Sequence, residues 1–139
     1  MMLQLPRSIY DRLIDLAIAD GDHEVCGLLA GSTEPYTATV FTIYPATNSS
    51  DVPTTRYLID PEEQLRLMDQ IAESGEELIG FYHSHPTGPD RPSQTDVDRA
   101  AWPNKVYVII SLAGHPYVGA WRWQDDRFEP AALTLTNAI

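Results

Sequence analysis

A chain of 139 residues with 43% hydrophobic and 21% charged side chains can bury a hydrophobic core and has the composition of one globular domain. Its 20 acidic and 9 basic side chains give a net charge of −11, whereas phosphate contacts require basic side chains, so DNA, RNA and anionic membranes are disfavoured as partners. A single cysteine excludes an internal disulfide. The N-terminus lacks signal-peptide features, and no stretch approaches the roughly 20 apolar residues of a membrane span, so we expect a cytoplasmic protein.

The first third of the chain predicts a helix followed by two strands. The segment PRSIYDRLIDLAIADGD, residues 6–22, repeats apolar residues at helical spacing and is bounded by a proline and a glycine. EVCGLLAGS, residues 24–32, is a short apolar run typical of a buried strand, and YTATVFTIYPAT, residues 36–47, alternates like a second strand paired with the first.

A loop and a second helix follow. NSSDVPTT, residues 48–55, has loop composition, and RYLID, residues 56–60, is compatible with a short strand. In the helix that comes next, Asp60 is the expected N-cap and Pro61 the first helical residue, and Gly75 marks the end. The face predicted to be buried consists of Leu65, Met68, Ile71 and Ala72.

The second half of the chain predicts a strand, a short helix and a β-meander. ELIGFYHSH, residues 77–85, is the strand, and SQTDVDRAAW, residues 93–102, is the helix. Three strands then follow over residues 105–113, 116–124 and 127–135, with turns at Gly114-His115 and Asp125-Asp126. This order predicts one α/β sandwich domain over residues 1–139, with a mixed, largely antiparallel sheet flanked by helices.

Two histidines at the end of the predicted strand 77–85 form a candidate metal site. Alternating side chains share a strand face, so His83 and His85 point to the same side and can bind one zinc ion. A third ligand, Asp96 or Asp98, can return from the next helix, and a glutamate elsewhere can act as general base. The same stretch also fits a helix capping box with Ser93 as N-cap, and the local chemistry leaves these alternatives open.

The stretch HSHPTGPDRPSQTD, residues 83–96, resembles the signature of the JAMM (MPN+) zinc metallopeptidases, which is H-x-H-P, six residues, then S-x-x-D. Upstream, EVCGLLAG places Glu24 in the setting that is common among the short prokaryotic members. The resemblance implies an MPN-like (cytidine-deaminase-like) fold with His83, His85 and Asp96 holding one Zn²⁺ per chain. It also implies Glu24 as general acid/base and Ser93 as the donor to the oxyanion.

The resemblance also implies a substrate. Members of this family hydrolyse the bond after the C-terminal Gly-Gly of a ubiquitin-like or sulfur-carrier protein, releasing cysteine or a conjugated lysine. In the family, the region equivalent to residues 48–56 borders the groove for this tail, so Asn48, Ser49 and Ser50 are candidate contacts, and the tail is expected to bind as an added strand. The alternative is a non-catalytic MPN-like scaffold that binds a protein partner without chemistry.

The other reactive or aromatic side chains are expected to be structural. We expect His23 to be exposed in a turn, His115 to be structural in the GHP turn, Cys26 to be a buried inert thiol, and Asp98 to be solvated. The three tryptophans are expected to pack in the core or form a surface patch: Trp102, Trp121 and Trp123.

Overall fold

A computed structural model describes residues 1–137, so the last two residues of the predicted domain lie outside the described residues. In chain order, the elements are β1 (Met2–Pro6), α1 (Arg7–Ala19), β2 (Cys26–Glu34), β3 (Thr37–Ala46), α2 (Pro61–Glu73), β4 (Glu77–His85), α3 (Gln94–Arg99), β5 (Val106–Ser111), β6 (Tyr117–Gln124) and β7 (Arg127–Thr136). Over this part of the chain, each helix is too short or too polar to cross a membrane.

The strands form one mixed sheet in the order β1-β3-β2-β4-β5-β6-β7, and β1 also pairs with β7, so the sheet closes into a barrel. Four of the pairings are antiparallel, and three are parallel: β1 with β3, β1 with β7, and β4 with β5. The predicted mixed, largely antiparallel sheet flanked by helices is confirmed. The strand that closes it, β1, was not predicted, because five residues ending in proline carry little strand signal.

Helices cover both sides of the sheet. Leu13 and Ala17 of α1 share one core cluster with Tyr82 and Val108, whereas α2 and α3 cover the other side. In that second cluster the buried members are Cys26, Leu28, Ala30, Ile59, Leu67, Ile71, Phe81, Tyr107 and Trp123. The sheet therefore separates two cores, and the side that carries α2 and α3 is the one that matters for function.

Two local predictions around α2 are wrong in whole or in part. The predicted buried face of α2 is wrong in part: Ile71 is buried and Met68 packs against the core, but Leu65 and Ala72 are exposed, and Leu67 is buried instead. Leu65 and Leu67 lie about 200° apart around the helix, and the sheet selects the stripe containing Leu67. Residues 56–60 form an irregular segment rather than a short strand.

The predicted start of α2 at Asp60 is confirmed, because the Asp60 carboxylate accepts the backbone N–H groups of residues 62 and 63.

A β-bulge in β4 interrupts the alternation of side chains along this strand. Gly80 lies opposite Leu29 and Leu78 opposite Ala30, so Ile79 is an extra residue in β4. Ile79 joins the core on the α1 side, and from Phe81 onward the odd-numbered residues of β4 face α2 and α3. His83 and His85 are therefore directed to the α2/α3 side. A Cβ at Gly80 would overlap the carbonyl oxygen of Val106, so only glycine permits this approach of β4 to β5.

We expect Gly80→Ala to lower the free energy of unfolding by at least about 3 kcal/mol, because the new methyl group must push the β5 backbone away. Gly114→Ala is the matched control. Gly114 has a φ of 79° and open space around the position of a Cβ, so only backbone strain of about 1–2 kcal/mol applies. Urea unfolding midpoints measure both changes, and equal losses would contradict the role of Gly80.

Candidate metal centre

Three ligand atoms converge where β4 ends beneath α3. The Nε2 atoms of His83 and His85 lie 3.1 Å apart, and each lies 3.1 Å from Oδ2 of Asp96. Both imidazoles are buried, with exposed fractions of 1% and 3%. These two histidines and Asp96 are the residues that the motif singled out, and the fold brings all three together.

Asp96 is held in place by the start of α3. Its Oδ2 accepts the backbone N–H of Ser93 at 2.8 Å, and its own N–H donates to Ser93 Oγ at 3.1 Å, which completes a capping box. The capping alternative and the ligand alternative are therefore compatible, because the capping carboxylate oxygen is also the atom that contacts both imidazoles. Asp98 is exposed and accepts a hydrogen bond from Gln94, in agreement with the prediction that it is solvated.

The loop after β4 fixes the protonation of His85. Nδ1 of His85 lies 2.7 Å from the carbonyl oxygen of Pro89, and a carbonyl oxygen can only accept, so Nδ1 carries the proton. In its neutral form the ring presents an unprotonated Nε2 lone pair to the Asp96 oxygen at 3.1 Å. Burial acts to lower the pKa of His85, but hydrogen bonds with Asp96 and the Pro89 carbonyl outweigh it and raise that pKa, so without a metal ion a proton is favoured at Nε2. Two acceptors at this distance require a proton or a cation between them.

Glu24 lies beside the two histidines because the next residue, Val25, forms two hydrogen bonds with Ser84. The N–H of Val25 donates to Ser84 Oγ at 2.9 Å, and the N–H of Ser84 donates to the Val25 carbonyl at 3.0 Å. Glu24 is buried, with 4% of its surface exposed, and within residues 1–137 its Oε1 finds no hydrogen-bond partner. Its carboxylate oxygen and nitrogen atoms of both histidines lie within 4.8 Å of one another.

The environment separates the two carboxyl groups by their pKa values. Burial raises the pKa of Glu24 to about 7, with the nearby His85 opposing the rise and Asp96 adding to it. Burial also acts to raise the pKa of Asp96, but hydrogen bonds with the two imidazoles and the Ser93 amide outweigh it and hold that pKa well below its usual range. Burial lowers the pKa of His83, which favours the neutral ring that metals bind.

The donor atoms fit a divalent metal ion. Bonds of about 2.0–2.1 Å in a tetrahedral zinc site place ligand atoms about 3.3 Å apart, close to the 3.1 Å separations of the two nitrogens and the Asp96 oxygen. A cation among these atoms also removes the conflict between the lone pairs of His85 and Asp96. Glu24 lies further from the two nitrogens than Asp96 does, and its Oε1 has no hydrogen-bond partner within residues 1–137. Two sets of three ligands can therefore hold a metal ion: the two histidines with Asp96, or the two histidines with Glu24.

Tyr57 is part of the site although sequence reasoning did not single it out. Its ring stacks on the His83 imidazole, with 4.4 Å between ring centroids and 24° between planes. A tyrosine at the end of a polar loop carries no local signal for this role, because only the folded loop brings it back to β4.

Asn48 has a different role from the one predicted. Its side-chain amide donates to the carbonyls of Glu24 and Arg56, both at 2.9 Å, and its Oδ1 accepts the N–H groups of Ser50 and Leu58. These four bonds use the hydrogen-bonding positions of the amide inside the protein. The Asn48 side chain therefore stabilises the loop. It is not free to contact a substrate tail, which is the role that the sequence predicted for it.

The remaining singled-out residues lie away from the centre or are inert. Cys26 is buried, and burial raises the pKa of its thiol to about 12, which confirms an unreactive structural cysteine. His23 and His115 are exposed. Trp123 is buried and Trp102 packs at the edge of the same core, as predicted.

The chain is similar to one protein family and to several named proteins. The family described as prokaryotic homologs of the JAB domain matches residues 6–124. A desampylase from Haloferax volcanii is 37% identical over 128 residues, covering 92% of this chain and 89% of the relative. A probable TtuB-protein conjugate cleaving protease from Thermus thermophilus is 32% identical, covering 82% and 73%. A CysO-cysteine peptidase from Mycobacterium tuberculosis is also 32% identical, covering 79% and 73%.

Solved structures share the fold along nearly the whole chain. A protein from Desulfitobacterium hafniense superposes with a TM-score of 0.89 at 29% identity, covering 99% of this chain and 95% of that one. A protein from Salinibacter ruber gives a TM-score of 0.73 at 30% identity, covering 96% and 92%. Together with the match over residues 6–124, these likenesses confirm the resemblance that the motif indicated, and the chain belongs to the prokaryotic JAB-domain family of the JAMM/MPN type.

Proposed function

We propose that the chain, as one domain over residues 1–139 in the cytoplasm, is a zinc-dependent metallopeptidase or isopeptidase. Its substrate would be a ubiquitin-like or sulfur-carrier protein, cut after the C-terminal Gly-Gly to release cysteine or a conjugated lysine. The observation that carries the proposal is the convergence of two Nε2 atoms and one carboxylate oxygen beside the buried Glu24, whose Oε1 has no hydrogen-bond partner within residues 1–137. The printed names of the relatives, a desampylase, a conjugate-cleaving protease and a CysO-cysteine peptidase, support the substrate class.

His83, His85 and Asp96 would hold the zinc ion. Three protein ligands leave one coordination position open, which is typical of catalytic rather than structural zinc sites. When bound, zinc supplies a Lewis acid and lowers the pKa of a bound water to about 7. Asp96 suits the third ligand position better than Glu24, since its oxygen lies 3.1 Å from both nitrogens and its low pKa keeps it ionised.

Glu24 would move the protons. Its carboxylate can accept a proton from the attacking water and return it to the departing amine, and in the metal-free protein burial raises its pKa to about 7. Its Oε1 is the atom available for this transfer, because it is free of protein hydrogen bonds in the described residues. The two bonds between Ser84 and Val25 hold the backbone beside Glu24, so the proton carrier stays close to the histidines.

Ser93 would stabilise the tetrahedral intermediate. Its Oγ accepts the Asp96 N–H, and the hydroxyl proton remains free to donate to an oxygen that gains negative charge. Capping α3 and stabilising an oxyanion therefore use different sides of the same hydroxyl group.

The substrate tail would lie between α3 and the loop that follows β3. A pocket of about 140 Å³ opens beside Asp96 and is walled by aromatic and aliphatic side chains that include Tyr57, Phe81 and Trp102, which suits an apolar residue of the tail. Because β1 closes the sheet, an added strand would pair with the backbone of this loop rather than with a sheet edge.

We expect the purified protein to contain about one zinc ion per chain and His85→Ala to contain almost none, because two remaining ligands hold the ion too weakly. His115→Ala, which changes an exposed turn histidine, should keep the metal. Elemental analysis after dialysis gives the ratio. Absence of zinc from the wild type, even after reconstitution, would reject the enzyme and favour the MPN-like scaffold.

We expect Glu24→Gln to retain zinc and the fold but to lose hydrolysis by about 10²- to 10⁴-fold, because the amide cannot accept the proton. Glu62→Gln, on the exposed first turn of α2, is the control and should keep full activity. The assay follows release of cysteine or of a lysine-linked peptide from a Gly-Gly tail by mass spectrometry. Hydrolysis at the wild-type rate in Glu24→Gln would sink the proposed mechanism.

In the metal-free protein, the contribution of Glu24 to the free energy of unfolding should be lost as the pH rises from about 4.5 to about 7. The pKa of Glu24 rises from 4.5 unfolded to about 7 folded, so the folded state binds the extra proton and loses that advantage as the proton leaves. The loss is at most about 3 kcal/mol. Glu24→Gln should therefore gain stability over the wild type across this range in urea unfolding, whereas a pH-independent difference would contradict the raised pKa.

A further inference from the structure

The two histidines of the proposed zinc site are supported in different ways. His85 donates its Nδ1 proton to the Pro89 carbonyl at 2.7 Å, the usual device for fixing the ring of a metal-binding histidine. Nδ1 of His83 is buried and finds no hydrogen-bond partner within residues 1–137. Nε2 of His83 contacts Oδ2 of Asp96 at 3.1 Å, but no hydrogen bond to Nδ1 from residues 1–137 holds the other side of the ring, so packing against the ring must contribute to its orientation.

The ring of Tyr57 is placed to do this. It lies nearly parallel to the His83 ring, with 4.4 Å between centroids, and so covers one face of the imidazole. A parallel stack is lost when either ring tilts out of its plane, so it favours one plane for the imidazole. His85 touches the His83 ring only edge-on, at 4.9 Å and 63°, and does not cover a face in this way.

Tyr57 is itself held from both sides along the chain. The Asn48 side chain donates to the carbonyl of Arg56 at 2.9 Å and accepts the N–H of Leu58 at 3.1 Å, so it holds the two neighbours of Tyr57. The carbonyl of Tyr57 accepts a hydrogen bond from the Arg99 guanidinium at 3.2 Å. The tyrosine is therefore fixed relative to the loop and to α3, the helix that carries the proposed aspartate ligand.

We propose that Tyr57 is a positioning residue for His83, whose ring it orients by stacking in place of the hydrogen bond that Nδ1 lacks. This inference rests on the proposed zinc site. The aromatic ring of Tyr57 orients His83, and the phenol hydroxyl is not needed for this role.

The test compares zinc affinities of metal-free protein titrated against a chromogenic chelator. Tyr57→Leu should bind zinc about tenfold more weakly, and Tyr57→Phe should bind as the wild type does. Phe128→Leu is the matched control, because it also removes a partly buried ring from the aromatic cluster, where Phe128 contacts Tyr107 and Trp123 rather than a histidine. Wild-type affinity in Tyr57→Leu, or an equal loss in Tyr57→Phe or Phe128→Leu, would overturn the inference.

A second readout does not depend on zinc. Long-range proton–nitrogen NMR spectra of the metal-free protein report the tautomer and ring order of His83. We expect one set of ring signals in the wild type and Tyr57→Phe, and broadened or doubled signals in Tyr57→Leu. Unchanged signals in Tyr57→Leu would overturn the inference. If the wild type binds no zinc, the proposed function fails while these spectra still decide the role of Tyr57.

Discussion

One carboxylate oxygen connects the parts of this molecule that carry its chemistry. Oδ2 of Asp96 meets both imidazoles of β4 and the backbone N–H that begins α3. A helix of six residues with no fully buried side chain has little stability of its own, so these contacts hold it against the sheet. From α3 the connection continues through Arg99 to the carbonyl of Tyr57, and the ring of Tyr57 returns to His83. Helix α3, the loop that contains Tyr57 and strand β4 are thus connected to one another around the two histidines.

Within this region, two carboxyl groups a few ångströms from the same imidazoles have opposite properties. Asp96 accepts several hydrogen bonds and stays ionised, whereas Glu24 is buried with a free oxygen and titrates near neutral pH. Environments that separate the pKa values of neighbouring acids suit them to different roles, which is consistent with the proposal of Asp96 as metal ligand and Glu24 as proton carrier. The division arises because hydrogen bonds from both imidazoles and from the Ser93 amide reach Asp96, whereas burial dominates at Glu24, whose Oε1 has no partner within residues 1–137.

Much of this was predictable where the signal was local. The period of the strands, the Asp60-Pro61 start of α2, the capping box at Ser93 and the pairing of histidines two apart all depend on residues close in sequence. The choice of Asp96 and Glu24 came from family resemblance, since spacing alone left other acids open. Strand β1, part of the buried face of α2 and the roles of Asn48 and Tyr57 were missed, because each depends on partners that only the closed barrel and the folded loop bring near.

The bulge at Ile79 interrupts the alternation of side chains in β4. Ile79 and Gly80 both face the core on the α1 side, because Gly80 pairs with Leu29 and Ile79 is the extra residue between two regular pairs. Gly80 has no side chain and lies against the Val106 backbone, so Ile79 supplies the apolar group on this face. Loss of Ile79 would restore regular pairing and leave both imidazoles on the α2/α3 side, because His83 stays opposite Cys26, but the core around Leu13 would lose one buried side chain.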